Sequence, residues 1–174
     1  METEQKLSVK DVSIRYGLIL GLVLTIFSIL ISVLGYAGNR TIGYAGYLLM
    51  ILVVVQAHIY YKSEGNGFLS FGQGLGIGTL VGAIAGAINS LVMYIYVKFI
   101  DSSVLDAIKD LQLEEMEKQG LTQEQMDKAM EIGAVFTKPE VMYLIAFVGT
   151  IFMCFIFSLI ITIFTRKEDP TTQI

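Results

Sequence analysis

The sequence predicts an all-α polytopic membrane protein, with four transmembrane helices in a bundle and a helical hairpin between the third and fourth. Three observations predict this class. The 174 residues are 54% hydrophobic and 16% charged, with a mean hydropathy of +0.65. Four segments are predominantly apolar over about 20 residues or more, the length that a helix needs to cross a bilayer. One sizeable polar segment, residues 101–140, separates the last two. We therefore expect a single membrane domain over residues 1–174.

The first two spans are predicted at residues 16–36 and 42–61. Basic residues precede the first apolar run, as they do in a cleaved leader, but the run is long enough to span and acidic residues lie among the basic ones. We therefore expect an uncleaved first span. The short connection at 37–41 makes the two spans antiparallel neighbours.

The third span, predicted at residues 71–100, contains no Asp, Glu or Arg. Small residues recur in it at every fourth position: Gly74, Gly78, Gly82, Gly86 and Ser90. In water each glycine would cost a helix up to about 1 kcal/mol. In lipid the helix persists, because its backbone groups must be satisfied within the segment. This face predicts close packing against another helix.

Small residues also line one face of the first span and of the fourth, which is predicted at residues 141–165. In the first they are Gly17, Gly21, Thr25, Ser28 and Ser32, and in the fourth they are Thr150, Cys154, Ser158 and Thr162. The second span has a weaker set. Such faces favour helix packing, with the large apolar faces toward lipid.

Residues 101–140 hold ten acidic and four basic residues and predict an acidic helical hairpin outside the membrane. Its helix ends are marked by local signals: Ser103 with Asp106 at the first start, Gly120 at its end, Thr122 with Gln125 as a capping box, and Thr137 with Glu140 as a cap on the fourth span. The hairpin serves either as a solvated cap, which we favour, or as a docking surface for a partner.

The charge distribution predicts the orientation of the chain. Four spans place both termini on one side of the membrane. Basic residues precede the first span and follow the last, so the positive-inside rule predicts that both termini are cytoplasmic. The hairpin between the third and fourth spans is then extracytoplasmic.

No pattern in the sequence predicts catalysis. We find no nucleophile–base pair, metal-ligand cluster or phosphate-binding motif, and Cys154 is the single cysteine, which excludes a disulfide within the chain. The net charge of −4 gives no sign of nucleic-acid binding. We therefore expect a protein that is not an enzyme and that uses no cofactor, metal or nucleic acid.

Three polar residues in or near the spans are candidates for an intramembrane site: Asn89, His58 and Gln56. Such groups usually face the interior of a membrane protein. Asn89 is expected to hydrogen-bond to a hydroxyl on the first or fourth span, with contact to a solute as the alternative. His58 is expected at the wet interface near Gln56, with a proton relay as the alternative.

Three stretches resemble a known family. They are residues 68–73 (FLSFGQ), residues 96–101 (YVKFID), and residues 117–126 (EKQGLTQEQM) leading to Pro139 and Glu140. Together they are similar to four-span proteins of the bacterial inner membrane that are known only as a domain of unknown function. Members often have proline after the Phe-Ile-Asp, where this chain has Ser102. The resemblance implies a bacterial cell-membrane location and brings no activity.

The sequence thus favours a structural or interaction protein that packs through small-residue helix faces. Its partners would be the lipid bilayer and either a second copy of the chain or another membrane protein. The alternative is a small transporter or channel component with a path near Asn89 and the third-span glycines. A continuous polar cavity reaching Asn89 would favour transport, whereas tight contact along Gly74–Gly86 would favour packing.

Overall fold

The computed structural model describes residues 7–167, which form six helices and no strand. The helices are α1 (Val9–Val33), α2 (Arg40–Ser63), α3 (Phe71–Phe99), α4 (Ser103–Lys118), α5 (Gln123–Gly133) and α6 (Pro139–Thr165). Four of them, α1, α2, α3 and α6, are long and apolar enough to cross a membrane. The predicted all-helical class with four spans is therefore confirmed.

The helix α1 begins seven residues before the predicted start at Tyr16. Ser8 is its N-cap, and the Ser8 hydroxyl oxygen accepts a hydrogen bond from the backbone N–H of Asp11 at 3.1 Å. The Asp11 carboxylate in the first turn also suits the positive end of the helix dipole. The helix thus extends beyond the apolar run and includes polar residues that precede the predicted span: Lys10, Asp11, Ser13 and Arg15.

The connection between α1 and α2 is short because glycines make the turn. Gly35 and Gly38 have φ angles of +74° and +94°, a region that residues with a side chain rarely adopt. Asn39 then caps α2, since its side chain accepts from the N–H of Ile42 at 3.2 Å. The antiparallel arrangement predicted for the first two spans follows from this turn.

The structure corrects one of the predicted helix caps. Helix α4 begins at Ser103, as expected, and the Ser103 N–H donates to the Asp101 carboxylate at 2.9 Å. Thr137 was expected to cap α6, but its hydroxyl donates back to the carbonyl of Ala134 at 3.0 Å. The cap position belongs to Lys138, and Pro139 follows as the first residue of α6, where its missing N–H costs nothing.

The other predicted ends in the 101–140 segment agree with the structure. Gly120 follows α4 with a φ of +75°. Thr122 and Gln125 form a capping box at the start of α5, with each side chain accepting from the other's backbone N–H. These ends depend only on residues three apart, so sequence alone was enough to place them.

Helix α3 contacts both α1 and α6, and α2 contacts α1 and α6 more than α3. The apolar core lies between these four helices and consists mainly of residues from α1, α2 and α3, among them Leu20, Val54, Ala57, Ile77, Val81 and Ala85. Large apolar side chains cover the outer faces, including Leu22, Ile26, Leu52, Phe152 and Ile163, each more than half exposed. Such outer faces suit acyl chains as their solvent.

Helix α4 lies against the end of α3 and the turn between α1 and α2. Val104 is buried with Met93 and Val97 of α3. Leu111 lies beside Gly38, and Arg40 forms an ion pair with Glu115 at 3.3 Å. The first helix of the predicted hairpin therefore packs on the long helices and covers one of their turns.

Candidate functional site

The glycines of α3 lie against small residues of α6, one pair per helical turn and in opposite chain directions. The pairs are Gly74 with Thr162, Gly78 with Ser158, Gly82 with Cys154, and Gly86 with Thr150. We call this contact the glycine seam. All eight residues are buried. Glycine on one helix and a short side chain on the other let two helix backbones approach closely.

The glycine seam has no room for a further carbon atom. A Cβ at Gly82 would lie 2.6 Å from the Cβ of Cys154 and 3.2 Å from the backbone carbonyl oxygen of Thr150. At Gly86 it would lie 3.1 Å from the Cβ of Thr150. Because these neighbours are backbone atoms and Cβ atoms, a change of rotamer cannot relieve the contact. The α3 and α6 backbones would have to separate.

The small residues of α1 pack differently. Gly17 and Gly21 face large side chains of α3, with Ile84 beside Gly17 and Ile88 beside Gly21. An added Cβ would lie 2.7 Å from the Cβ of Ile84 at the first site and 2.9 Å from the Cδ1 of Ile88 at the second. The α1 glycines therefore receive mainly isoleucine side chains, although at Gly21 the added Cβ would also lie 3.3 Å from the backbone Cα of Ala85.

Some of the hydroxyl groups in these faces bond within their own helix. Thr25 donates to the carbonyl of Gly21 at 2.7 Å, and Thr150 donates to that of Ala146 at 2.9 Å. Such bonds to the preceding turn satisfy the hydroxyl inside hydrocarbon. These two hydroxyls are therefore engaged, which leaves their protons unavailable to a solute.

Asn89 is half-buried and faces α1. The Ser28 hydroxyl lies 3.4 Å from the Asn89 side-chain carbonyl oxygen and donates to it. The partner is a hydroxyl on the first span, the kind of partner that the sequence analysis expected for a packing role.

His58 lies at the other end of the molecule and is completely buried. Its Nε2 is 3.0 Å from the carbonyl oxygen of Gly74, and its Nδ1 is 3.0 Å from the Thr165 hydroxyl. Since a carbonyl can only accept, Nε2 carries the proton in this geometry. The expectation of a wet histidine was wrong, because the ring is buried and its two nitrogens contact groups of α3 and α6.

The groups around His58 join three helices, and we call this cluster the His58 node. The Ser158 hydroxyl donates to the Gly74 carbonyl at 2.8 Å and lies 3.4 Å from His58 Nε2. The Lys62 ammonium donates to the backbone carbonyl of Thr165 at 3.0 Å. The node therefore ties α2 to α3 and α6 at the end where the glycine seam begins.

Two further features belong to this end of the molecule. The Thr162 hydroxyl is buried and has no hydrogen-bond partner within residues 7–167. Leu69, before α3, and Lys167, after α6, exchange two backbone hydrogen bonds of 2.8 and 2.9 Å. The chain segments that flank α3 and α6 are thus paired directly.

Gln56 does not join His58. It lies on the exposed face of α2, whereas His58 is buried. Side chains two residues apart on an α-helix are separated by a rotation of about 200° around its axis, so Gln56 and His58 cannot face the same neighbours. The sequence signal that did mark the node is His58 with Lys62, four residues apart and on one face. The Gly74 carbonyl carries no signal of its own, because every residue has one.

The geometry offers packing contacts and little reactive chemistry. Cys154 is buried in the glycine seam. Over the described part of the chain, no three residues among His, Cys, Asp and Glu are grouped so as to hold a metal ion. The contacts of the His58 node are made by hydroxyl, carbonyl and ammonium groups.

Comparison with known proteins gives one match. A family described as "Protein of unknown function (DUF4199)" matches residues 15–167, which include most of α1 and all of the other five helices. Neither the curated proteins nor the solved structures contain a match. The predicted resemblance to a family known only as a domain of unknown function is confirmed.

Proposed function

We propose, from the premise that this chain belongs to the DUF4199 family of proteins of unknown function, that it is a non-enzymatic structural or interaction protein of the membrane. Its four spans pack into one bundle, and the glycine seam holds the pair formed by α3 and α6. The observation that carries this proposal is the pairing of four α3 glycines with four small α6 residues.

The contacts support packing over transport. Between Gly74 and Gly86 the two helices approach until a single added carbon would collide, so a solute path between them has no width there. Asn89, which would line the path in the alternative reading, bonds to Ser28 of the neighbouring helix. A transporter would need these contacts to open.

The glycine seam also bears on the partner. Its glycines are occupied within the chain, so association with a second copy or with another membrane protein would use other surfaces. The outer apolar faces and the α4–α5 segment are the surfaces that remain exposed.

We place the protein in the bacterial inner membrane with both ends in the cytoplasm and α4 and α5 outside. The charges support this orientation. Among the described residues, the end that carries the start of α1 and the end of α6 holds five that are basic: Lys10, Arg15, Lys62, Arg166 and Lys167. The opposite end carries the 101–140 segment with its ten acidic residues. Positive residues favour the cytoplasmic side.

Substitution of Gly82 by leucine tests the proposal. Overpacking of a close contact costs about 1–3 kcal/mol or more, so Gly82→Leu should lower the thermal unfolding midpoint in detergent by several degrees. Gly149→Leu is the matched control, because Gly149 lies in α6 with no atom within 4 Å of an added Cβ. Equal midpoints for the two variants would refute the packing role.

A further inference from the structure

Beyond Gly86, α3 and α6 leave an open groove between them. Its volume is about 380 Å³, within the range of roughly 300–1,000 Å³ typical of small-molecule sites. The walls are mainly apolar and are formed by Ala87, Leu91 and Tyr94 of α3 and by Tyr143, Leu144 and Phe147 of α6. Both helices are candidate membrane spans, so the groove faces the bilayer.

One end of the groove is charged. Lys98 in the last turn of α3 forms an ion pair with Glu140 in the first turn of α6, with 2.8 Å between Nζ and Oε1. The same ammonium donates to the Tyr94 hydroxyl at 2.6 Å, and that hydroxyl donates to Glu140 at 3.3 Å. The side chains of Lys98 and Glu140 are 40% and 55% exposed, so both can bind a further group.

A hydroxyl lies deeper in the groove wall. Ser90 is 7% exposed, and its oxygen is buried with no hydrogen-bond partner among the residues that the structure describes. An unpaired hydroxyl in an apolar setting costs free energy, and a ligand that accepts its proton recovers that cost. Ser90 lies one helical turn, about 6 Å, below Tyr94 and two turns below Lys98.

The order of chemical groups along the groove matches the order of groups in one kind of molecule. From the surface inward, the groove presents a cation paired with an anion, then a hydroxyl donor, then apolar walls. A phospholipid with an ethanolamine headgroup presents a phosphate and an ammonium, then ester carbonyls, then acyl chains. We propose that the groove binds one such lipid, with its phosphate beside Lys98, its ammonium beside Glu140, and an ester carbonyl accepting from Ser90.

The charges favour a zwitterionic headgroup over an anionic one. Lys98 and Glu140 together carry no net charge, so they can satisfy a phosphate and an ammonium at once. The 101–140 segment, which holds six more acidic than basic residues, lies at the same end and repels an anionic headgroup.

The test is native mass spectrometry of the whole protein released from detergent, after incubation with equal amounts of phosphatidylethanolamine and phosphatidylglycerol that carry the same acyl chains. The expected result is one retained lipid per chain. Phosphatidylethanolamine should exceed phosphatidylglycerol by roughly fivefold, the ratio that one net hydrogen bond produces.

Two sets of variants locate the lipid. Ala87→Phe fills the groove from an exposed wall position and should abolish retention. Ala146→Phe is the matched control, an exposed alanine on α6 that does not line the groove, and should retain the lipid. Glu140→Gln removes the negative partner of Lys98 at the mouth, so the preference should move toward phosphatidylglycerol.

Three outcomes would overturn the proposal. Equal retention by Ala87→Phe and Ala146→Phe would place the lipid elsewhere. An unchanged lipid preference in Glu140→Gln would refute the proposed contact between Glu140 and the headgroup. This test does not depend on Ala87→Phe, so it remains informative if that variant fails to fold. A mass of two chains that Ala87→Phe reduces to one would assign the groove to a second copy.

Discussion

Helix α3 has two main neighbours, α6 and α1, and it packs against them in opposite ways. Toward α6 it presents glycines to short side chains, and the backbones themselves come into contact. Toward α1 it presents Ile84 and Ile88, which enter spaces left by Gly17 and Gly21 of α1. The first contact is set by backbone positions, whereas the second is set by side chains. The two sides should therefore tolerate change differently.

The largest effect is expected for Gly78→Ala in the glycine seam. The added methyl group would collide with the side chain of Ser158 and come within 3.3 Å of the Cys154 carbonyl oxygen. The free energy of unfolding should fall by about 3 kcal/mol, at the upper end for overpacking. Thermal unfolding in detergent measures it.

The companion variant Ser158→Gly sharpens this prediction. Combined with Gly78→Ala, it moves the small residue from α3 to α6 and should recover part of the loss, as a double-mutant cycle would show. If Gly78→Ala alone unfolds at the wild-type temperature, close backbone contact between α3 and α6 does not determine the stability of this side of α3.

His58→Ala should have the next largest effect, because it removes the ring that ties α2 to both helices of the glycine seam. Losing the ring leaves the Thr165 hydroxyl with one partner fewer and opens a cavity, at a cost of about 2 kcal/mol. Gln56→Ala on the exposed face of α2 is the control, with an expected change within about 0.5 kcal/mol. Similar midpoints for both would mean that α2 contributes nothing through His58.

A smaller effect is expected for Gly17→Ala on the α1 side. The three nearest atoms all belong to the Ile84 side chain, with its Cβ at 2.7 Å and its Cγ2 at 2.9 Å, and no backbone atom of α3 is among them, so the cost should stay at the lower end for overpacking, about 1 kcal/mol. Ile84→Gly removes the Cβ, Cγ2 and Cδ1 atoms that lie 2.7, 2.9 and 3.3 Å from the added carbon, and in combination with Gly17→Ala it should show a favourable coupling in a double-mutant cycle. A loss as large as that of Gly78→Ala would erase the distinction between the two sides.

The smallest effect is expected at Asp101, at the start of α4. The Ser103 N–H holds the pKa of the Asp101 carboxyl below its usual value of about 3.8. A pKa lowered by folding means that the stabilisation is present above the unfolded pKa and is lost as the pH falls through the folded one. Corrected for the intrinsic pH dependence of amide exchange, the protection of the α4 amides should therefore fall below about pH 4. Asp101→Asn should remove this pH dependence, and a pH profile identical to wild type would exclude a contribution from the hydrogen bond between Ser103 and Asp101.

The sequence was sufficient for features that depend on nearby residues. Hydropathy over some 20 residues located four spans, and the spacing of Thr122 and Gln125 located the start of α5. It also identified which residues of α3 are small, since a repeat of four is visible without a structure. Each of these signals lies within one helix.

The sequence was insufficient where the answer depends on which helices meet. Small-residue faces occur on α1, α3 and α6, and nothing in their spacing pairs Gly74 with Thr162. The burial of His58 also depends on which helices meet, because its ring contacts the Gly74 carbonyl of α3 and the Thr165 hydroxyl of α6. The position of α4 over the turn at Gly38 likewise depends on contacts between residues far apart in the chain.

The four-residue repeat creates an ambiguity that the short pairing of Leu69 with Lys167 removes. Sliding α6 along α3 by one turn, about 6 Å, would bring glycines against small residues again, so the repeat alone fits more than one alignment of the two helices. Leu69 and Lys167 hold the two chain ends in one offset through a pair of backbone hydrogen bonds. These two hydrogen bonds can form in only one of the alignments. The repeat allows several alignments of α3 and α6, and the paired chain ends select one of them.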